Sequence, residues 1–392
     1  MPLWKRNLWL CCLACFIISI GMSQLAPILP LYLQELGMDD GNEIARWSGL
    51  IFGANFVTLA IASPIWGRLS DRYGRKPMVL RASLWLGIIM FGMGMAASPW
   101  HLLVLRLLQG AMSGFLAAAV PLVAQEAPKE NSAWAPGMFF TCQVSGGLLG
   151  PLVGGLLTEL YSCRQTFFVM SAFCFLGFVA LWFVHETFRP KEEAGPVNGS
   201  WSSLPRAKLL AGIFITTLLL HFSLSTIHPI VTVYIRQLVP ESGHVALIAG
   251  AVFSATGLAS ALAASPLGRL ADRIGSRRVL LASLVASSLC FLPQAYVRTP
   301  LELGILRFLA GLAAAGLMPS TNALIRQAAP EAMMGRVYGI NQSFQFVGMC
   351  SGAVAGGQLA ASVGIASVFL VPGLLFLLNA VWFWSMSREK DA

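Results

Sequence analysis

The chain has 392 residues, of which 56% are hydrophobic and only 11% charged, with a mean hydropathy of +0.71 and a formal net charge of +9. A water-soluble domain carries about 25% charged residues, so the composition excludes a soluble globular protein and puts most of the surface in lipid. Eight cysteines at spacings that match no disulfide or metal framework read as small apolar packing residues; no metal and no cofactor is expected.

A spanning helix needs about 20 apolar residues, and polar clusters, Pro and Gly mark the loops between spans. Twelve spans are predicted, near 8–33, 46–66, 77–97, 101–125, 134–158, 165–186, 208–235, 244–266, 277–297, 301–326, 335–361 and 365–386. The first follows Lys5 and Arg6 and continues through Pro27 and Pro30 to Tyr32 without a small-x-small cleavage site, so it is expected to be a span and not a cleaved signal. The second and third are joined by GRLSDRYGRK, Gly67 to Lys76, with five charges in ten residues; it reads as a tight cytoplasmic loop in which Gly67 permits close backbone approach and Gly74 supplies a turn. The fourth contains Arg106. In the fifth, Gly146, Gly150 and Gly154 recur every four residues and form one smooth packing face, and Pro151 is expected to kink the helix. After the sixth comes RPKEEAGPVNGSWSSLPRAK, polar and rich in Pro and Gly, which reads as a linker. The seventh has His221 and His228, the tenth Arg307, and the eighth and ninth are joined by GRLADRIGSR, an echo of the first charged loop.

That echo belongs to a longer duplication. Adding 201 takes Asp71 to Asp272, Gly74 to Gly275, Arg106 to Arg307 and Gly110 to Gly311; adding 202 takes Pro27 to Pro229, Tyr32 to Tyr234 and Gly155 to Gly357. The organisation is therefore two six-helix units, 1–188 and 208–392, joined by a cytoplasmic linker at 189–207. An even number of spans per unit makes the repeats parallel, one of the known transporter designs, with the substrate at the interface of the repeats. With the N-terminus inside, twenty of the 26 Lys and Arg fall on the cytoplasmic side and only Arg46, Arg164, Arg236 and Arg298 outside, so both termini are expected in the cytoplasm. The same bias accounts for the net charge without nucleic acid.

At these residues the sequence resembles the major facilitator superfamily. GRLSDRYGRKPMVL resembles its signature between helices 2 and 3, LLVLRLLQGAMSG its helix-4 signature, and GGLLGPLVGGLL, with Gly146, Gly150, Pro151, Gly154 and Gly155 in place, the helix-5 signature of its drug:proton antiporter branch. The resemblance covers the whole chain. It implies an all-α integral membrane protein with twelve transmembrane helices as two parallel six-helix repeats. It further implies a monomeric bacterial inner-membrane exporter whose partners are protons, a small-molecule substrate and the bilayer. It implies that Asp71 meets the start of helix 11, near Gly335 and Arg336, and that Arg75 pairs with Glu126. Gly67, Asp71, Gly74, Arg75 and Glu126 then form a conformational latch, weaker in the second copy, where Asp272 is kept but Ser276 stands for the Arg. Arg106 is implicated in proton coupling, and the helix-5 face is expected against helix 8. Uptake of a metabolite by the same fold is the rival reading, against which the one-sided Gly-Pro motif argues; a membrane enzyme is remote, since no HExxH or GxSxG occurs.

None of the seventeen acids falls mid-membrane, and Gln24 occupies helix 1, where many such antiporters carry an acid. His221 and His228, seven apart and expected on one face, offer the alternative, because neutral imidazole exchanges protons near physiological pH; a hydrogen-bonded packing role is the other reading. Intramembrane charges are usually functional, yet Arg106 and Arg307 also stand close enough to the outer surface to snorkel. The cavity lining is expected to include Gln24, Asn55, Gln109, Met112, Phe140, Gln143, Arg307, Asn322, Asn341, Phe344 and Gln345, amides and adaptable apolar groups suited to neutral or amphiphilic molecules.

Overall fold

The computed structural model describes residues 2–132, 134–186, 207–330 and 333–388. The linker expected at 189–207 lies outside the described residues, apart from Ala207. Helices occupy all twelve predicted positions. In order they are α1 (Leu3–Ser23) with α2 (Leu25–Glu35), α3 (Gly41–Tyr73), α4 (Arg75–Gly94), α5 (Pro99–Ala111) with α6 (Phe115–Glu126), α7 (Trp134–Leu160) and α8 (Cys163–Trp182). The second copy gives α9 (Ala207–Ile227) with α10 (Val231–Leu238), α11 (Val245–Ile274), α12 (Ser276–Phe291), α13 (Pro300–Ala314) with α14 (Leu317–Ala328), α15 (Met334–Ser362) and α16 (Ser367–Arg388). Among the described residues eleven helical stretches are long and apolar enough to cross a bilayer. The twelfth, α15, has ample length at 29 residues but is diluted by polar side chains such as Asn341, Gln342, Ser343 and Gln345.

The largest departure from the sequence reading is at the charged signature. The second span continues as helix through Gly67 to Tyr73, and the connection shrinks to one residue, Gly74, at φ 94°. Its echo behaves the same way: α11 runs to Ile274 and Gly275 turns at φ 97°. The left-handed φ is what requires glycine at both turns. Among the described residues Gly67 does not make the expected close approach, for a Cβ there would meet none of them within 4 Å.

The contacts divide the chain into two compact units. One holds Met1–Asp39, Ala54–Glu193 and Gly243–Ala251; the other holds Asp40–Gly53, Ala194–Ser242 and Val252–Ala392. Within the first, α1 packs on α7 and α8, and α4 on α8 and α6. Within the second, α9 packs on α15 and α16, and α12 on α16 and α14, the same scheme shifted by one repeat. Duplicated polar contacts mark the repeat as well. Tyr32 donates to the Met93 carbonyl at 2.6 Å, while its counterpart Tyr234 donates to the Gln294 carbonyl at 3.2 Å. All eight cysteines are free thiols, and Cys163, which falls between the spans predicted at 134–158 and 165–186, is the buried first residue of α8.

Candidate functional site

The glycines of α7 face two ways. Cβ atoms added at Gly146, Gly150 and Gly154 would run into Phe16, Ile20, Ser23 and Gln24 of the first span. One step around the helix, about 100° on, a Cβ at Gly155 would strike the backbone of Ala246 and Leu247 in α11, and one at Gly250 would strike the Pro151 carbonyl. The four-residue face therefore meets the first span, and the contact with α11 expected of it belongs to Pro151 and Gly155. α7 continues as helix through Pro151. In the second unit Gly348, Gly352 and Gly356 lie against Leu218, Phe222 and Thr226 of α9, and Gly357 against Ala45 and Gly49. The glycine faces are duplicated; only the proline is one-sided.

At the end of this crossing Glu159 accepts from the Leu247 backbone N–H at 3.0 Å and pairs with His244 Nδ1 at 3.0 Å. A carboxylate is stabilised there by the positive end of the helix dipole.

Arg106 is 4% exposed, and its Nη1 donates to Gln109 Oε1 at 2.6 Å, one turn along α5. Arg307 is 3% exposed, with its guanidinium carbon 5.9 Å from the centre of the Phe253 ring. Neither side chain snorkels: burial removes that reading for both. Asn55 sits where α3 crosses α5 so closely that a Cβ at Gly110 would strike the Asn55 carbonyl. The crossing is repeated by Gly311 on the Thr256 carbonyl.

His228 and His221 do not share a helix face, because α9 stops at Ile227 and His228 lies in the turn before α10. Pro229 lacks the N–H that would continue the ladder. The imidazole of His228 is sandwiched between Phe52 (5.7 Å, 29°) and Phe253 (5.9 Å, 15°), and its Nδ1 is buried without a hydrogen-bond partner among the described residues. His221, by contrast, bonds the Thr217 carbonyl through Nδ1 at 2.9 Å, the geometry of a packing histidine.

The expected cavity residues separate by environment. In the first unit Gln24 is fully buried, and neither amide atom has a hydrogen-bond partner among the described residues. Gln109 and Met112 line a narrow cavity of about 20 Å³ with Ile18, Met22, Leu86, Ser113 and Phe115, room for about one water molecule. Phe140 is exposed and Gln143 half-buried on α7. In the second unit Asn341 accepts from the Thr217 hydroxyl at 2.9 Å and Phe344 stacks on Phe214, so both serve the α9–α15 contact. Asn322 is exposed and Gln345 half-buried.

At the signature turn, Asp71 and Asp272 are exposed at the ends of α3 and α11. The carboxylate that reaches Arg75 is Glu186, and it does so through the backbone. It accepts from the N–H of Arg75 at 2.8 Å and of Lys76 at 2.8 Å, capping α4. Arg75 Nη1 is buried and has no hydrogen-bond partner among the described residues. In the sequence Glu186, at the end of a span, reads as an ordinary boundary charge. Arg81 likewise reads in the sequence as one of the cytoplasmic charges. Instead its Nη1 and Nη2 donate at 3.0 Å each to the carbonyls of Met112 and Ser113, with its guanidinium over the Trp66 indole.

The sequence profile of the Major Facilitator Superfamily matches residues 11–246 and again 213–392. The chain belongs to the major facilitator superfamily. It is 41% identical over 390 residues to the multidrug resistance protein MdtG of Yersinia enterocolitica, covering 98% of this chain and 94% of that one. The Escherichia coli K12 protein of the same name is 41% identical over 390 residues, with 99% and 96% covered. Among solved structures the chain is similar to the nucleoside transporter NupG, with a TM-score of 0.76, 16% identity, and 99% and 100% covered. It is also similar to a bacterial homologue of the human lysosomal transporter Spinster in an inward-facing, unoccupied conformation, with a TM-score of 0.80, 14% identity, and 99% and 98% covered. At such identities the solved structures share the fold. The superfamily assignment makes the chain a multi-pass membrane protein of two repeated six-helix halves, as the duplication implied.

Proposed function

We propose that the chain is a monomeric, proton-coupled exporter of amphiphilic small molecules in the bacterial inner membrane, with both termini cytoplasmic. The observation that carries this reading is the 41% identity to multidrug resistance proteins over almost the whole chain, joined to the antiporter glycine–proline face on α7. Residues 1–188 and 208–392 act as the two bundles that rock about the substrate. Gly67, Asp71, Gly74, Arg75, Glu126 and Asp272 belong to the latch, which engages in the state where the Arg75 side chain finds its carboxylate. Arg106 and Gln109 supply a buried, hydrogen-bonded charge on the substrate path. His228 is the proton carrier: its buried Nδ1, without a hydrogen-bond partner among the described residues, supports that role, whereas the bond from His221 to Thr217 supports a packing role for His221.

The deciding experiment is transport in everted vesicles. Fluorescent amphiphiles, ethidium among them, are expected to accumulate on energisation, and adding substrate is expected to release protons from the lumen. Accumulation that survives collapse of the proton gradient would overturn the coupling. Failure to move any compound of a broad amphiphile panel would overturn the export reading.

A further inference from the structure

The fourth span is broken between α5, ending at Ala111, and α6, beginning at Phe115, and Gly114 in the gap has φ 119°. A break of this kind strips consecutive carbonyls of their helical donors, and in an apolar surrounding each must be bonded or pay for burial. Two side chains from neighbouring helices supply the bonds. Trp66 Nε1 of α3 donates to the Ala111 carbonyl at 2.6 Å, and Arg81 of α4 donates to the next two, Met112 and Ser113, at 3.0 Å each. The guanidinium lies over the indole, its carbon 3.2 Å from the ring centre. The planar fork of arginine suits two adjacent carbonyls in a way the point charge of lysine does not.

The second repeat has no such arrangement. Leu267 stands at the position of Trp66 and Ala282 at that of Arg81. There Ala315 and Gly316 keep right-handed helical angles between α13 and α14, and the interruption nearly closes. The clamp and the left-handed glycine thus occur together in one half and are absent together from the other. The break also falls next to the groups that matter most in this span: Gln109, which holds Arg106, together with Met112 and Ser113 lines the cavity beside it.

We infer that Arg81, stacked on Trp66, is a positioning residue of the transport cycle: it holds the fourth span open at Met112–Gly114 and so fixes how Arg106 and Gln109 are presented to the transported molecule. The inference rests on the export reading only for its functional consequence. The competing account is that Arg81 is one more inner-side positive charge, which lysine would satisfy equally.

Hydrogen exchange on the full-length protein in nanodiscs separates the two. Each bond to a charged donor is worth about 1.5–3 kcal/mol, so Arg81→Gln is expected to speed exchange at 112–116 about ten- to a hundred-fold, with a smaller rise spreading into 102–111. Arg81→Lys is expected to match Arg81→Gln, and Trp66→Phe, which keeps the stack and loses one bond, to fall between. Wild-type exchange in Arg81→Lys would overturn the clamp. Faster exchange confined to 112–116 would reduce the pair to a local cap and overturn the positioning role. In proteoliposomes with ethidium as probe, rates per mole of protein are expected to show a raised KM and a lowered kcat for Arg81→Lys; unchanged values of both would also overturn positioning. If the wild type does not move ethidium, it is the export reading that has failed for this compound, and the exchange data decide the inference alone.

Discussion

Replacing Gly155 by alanine tests the α7–α11 crossing directly. The added Cβ would lie 2.9 Å from the Ala246 carbonyl carbon and 3.1 Å from Leu247 Cα, with the Ala246 carbonyl oxygen nearer still. Ordinary contact begins near 3.4 Å, and all three atoms are backbone, so no rotamer change relieves the clash; the helices must part. Overpacking of this kind costs about 1–3 kcal/mol. Alanine also restores about 0.8–1 kcal/mol of helix propensity. Gly147 controls for that gain, since a Cβ there meets nothing within 4 Å. Both variants carry the same chemical change on the same helix, so their difference isolates the crossing at about 1–3 kcal/mol. Reversible unfolding in mixed detergent and dodecyl sulfate micelles measures it. Gly155→Ala is expected to be less stable than Gly147→Ala by that amount, and Gly357→Ala, whose Cβ would meet the Ala45 carbonyl and the Gly49 Cα, should behave like Gly155→Ala. Equal stability of Gly155→Ala and Gly147→Ala would refute the close-crossing argument.

Glu186→Gln removes the charge that caps α4 and is expected to cost about 1–2 kcal/mol in the same unfolding assay; a change under a few tenths would show that the cap is idle. Asp71→Asn should leave insertion and abundance intact while cutting transport at least tenfold, and normal transport would remove Asp71 from the latch. His228→Ala is expected to abolish substrate-induced proton release in everted vesicles, whereas His221→Ala should retain it; full coupling without His228 would send the search for the proton elsewhere. Glu159→Gln removes the carboxylate that bonds His244, whose side chain is 74% exposed. Its effect on unfolding is therefore expected to stay below about 1 kcal/mol, and a larger loss would mean that the Leu247 cap matters more than the pair.

Apolar length and the 201–202 residue repeat by themselves determined the twelve spans, the duplication and the location of the charged turns. They could do so because lipid forces every span to satisfy its own backbone, which leaves a strong local imprint in sequence. The glycine turns at Gly74 and Gly275 were legible for a similar reason, since a left-handed φ restricts the residue at its own position. What depended on neighbours was not legible. Which helix each glycine face meets turns on a 100° step around α7, so Gly150 and Pro151, adjacent in sequence, serve different partners. Arg81 and Glu186 read as boundary charges because the groups they bond lie 31–32 and 110–111 residues away. His228 lost its shared face with His221 because the helix ends one residue before it. The number and placement of the spans were legible because those are set largely residue by residue, whereas how far a helix runs on, as at Gly67–Tyr73, and where it breaks, as before His228, were not. Which buried polar groups find partners depends on the packed fold, because each hydrogen bond there needs two segments brought together by packing.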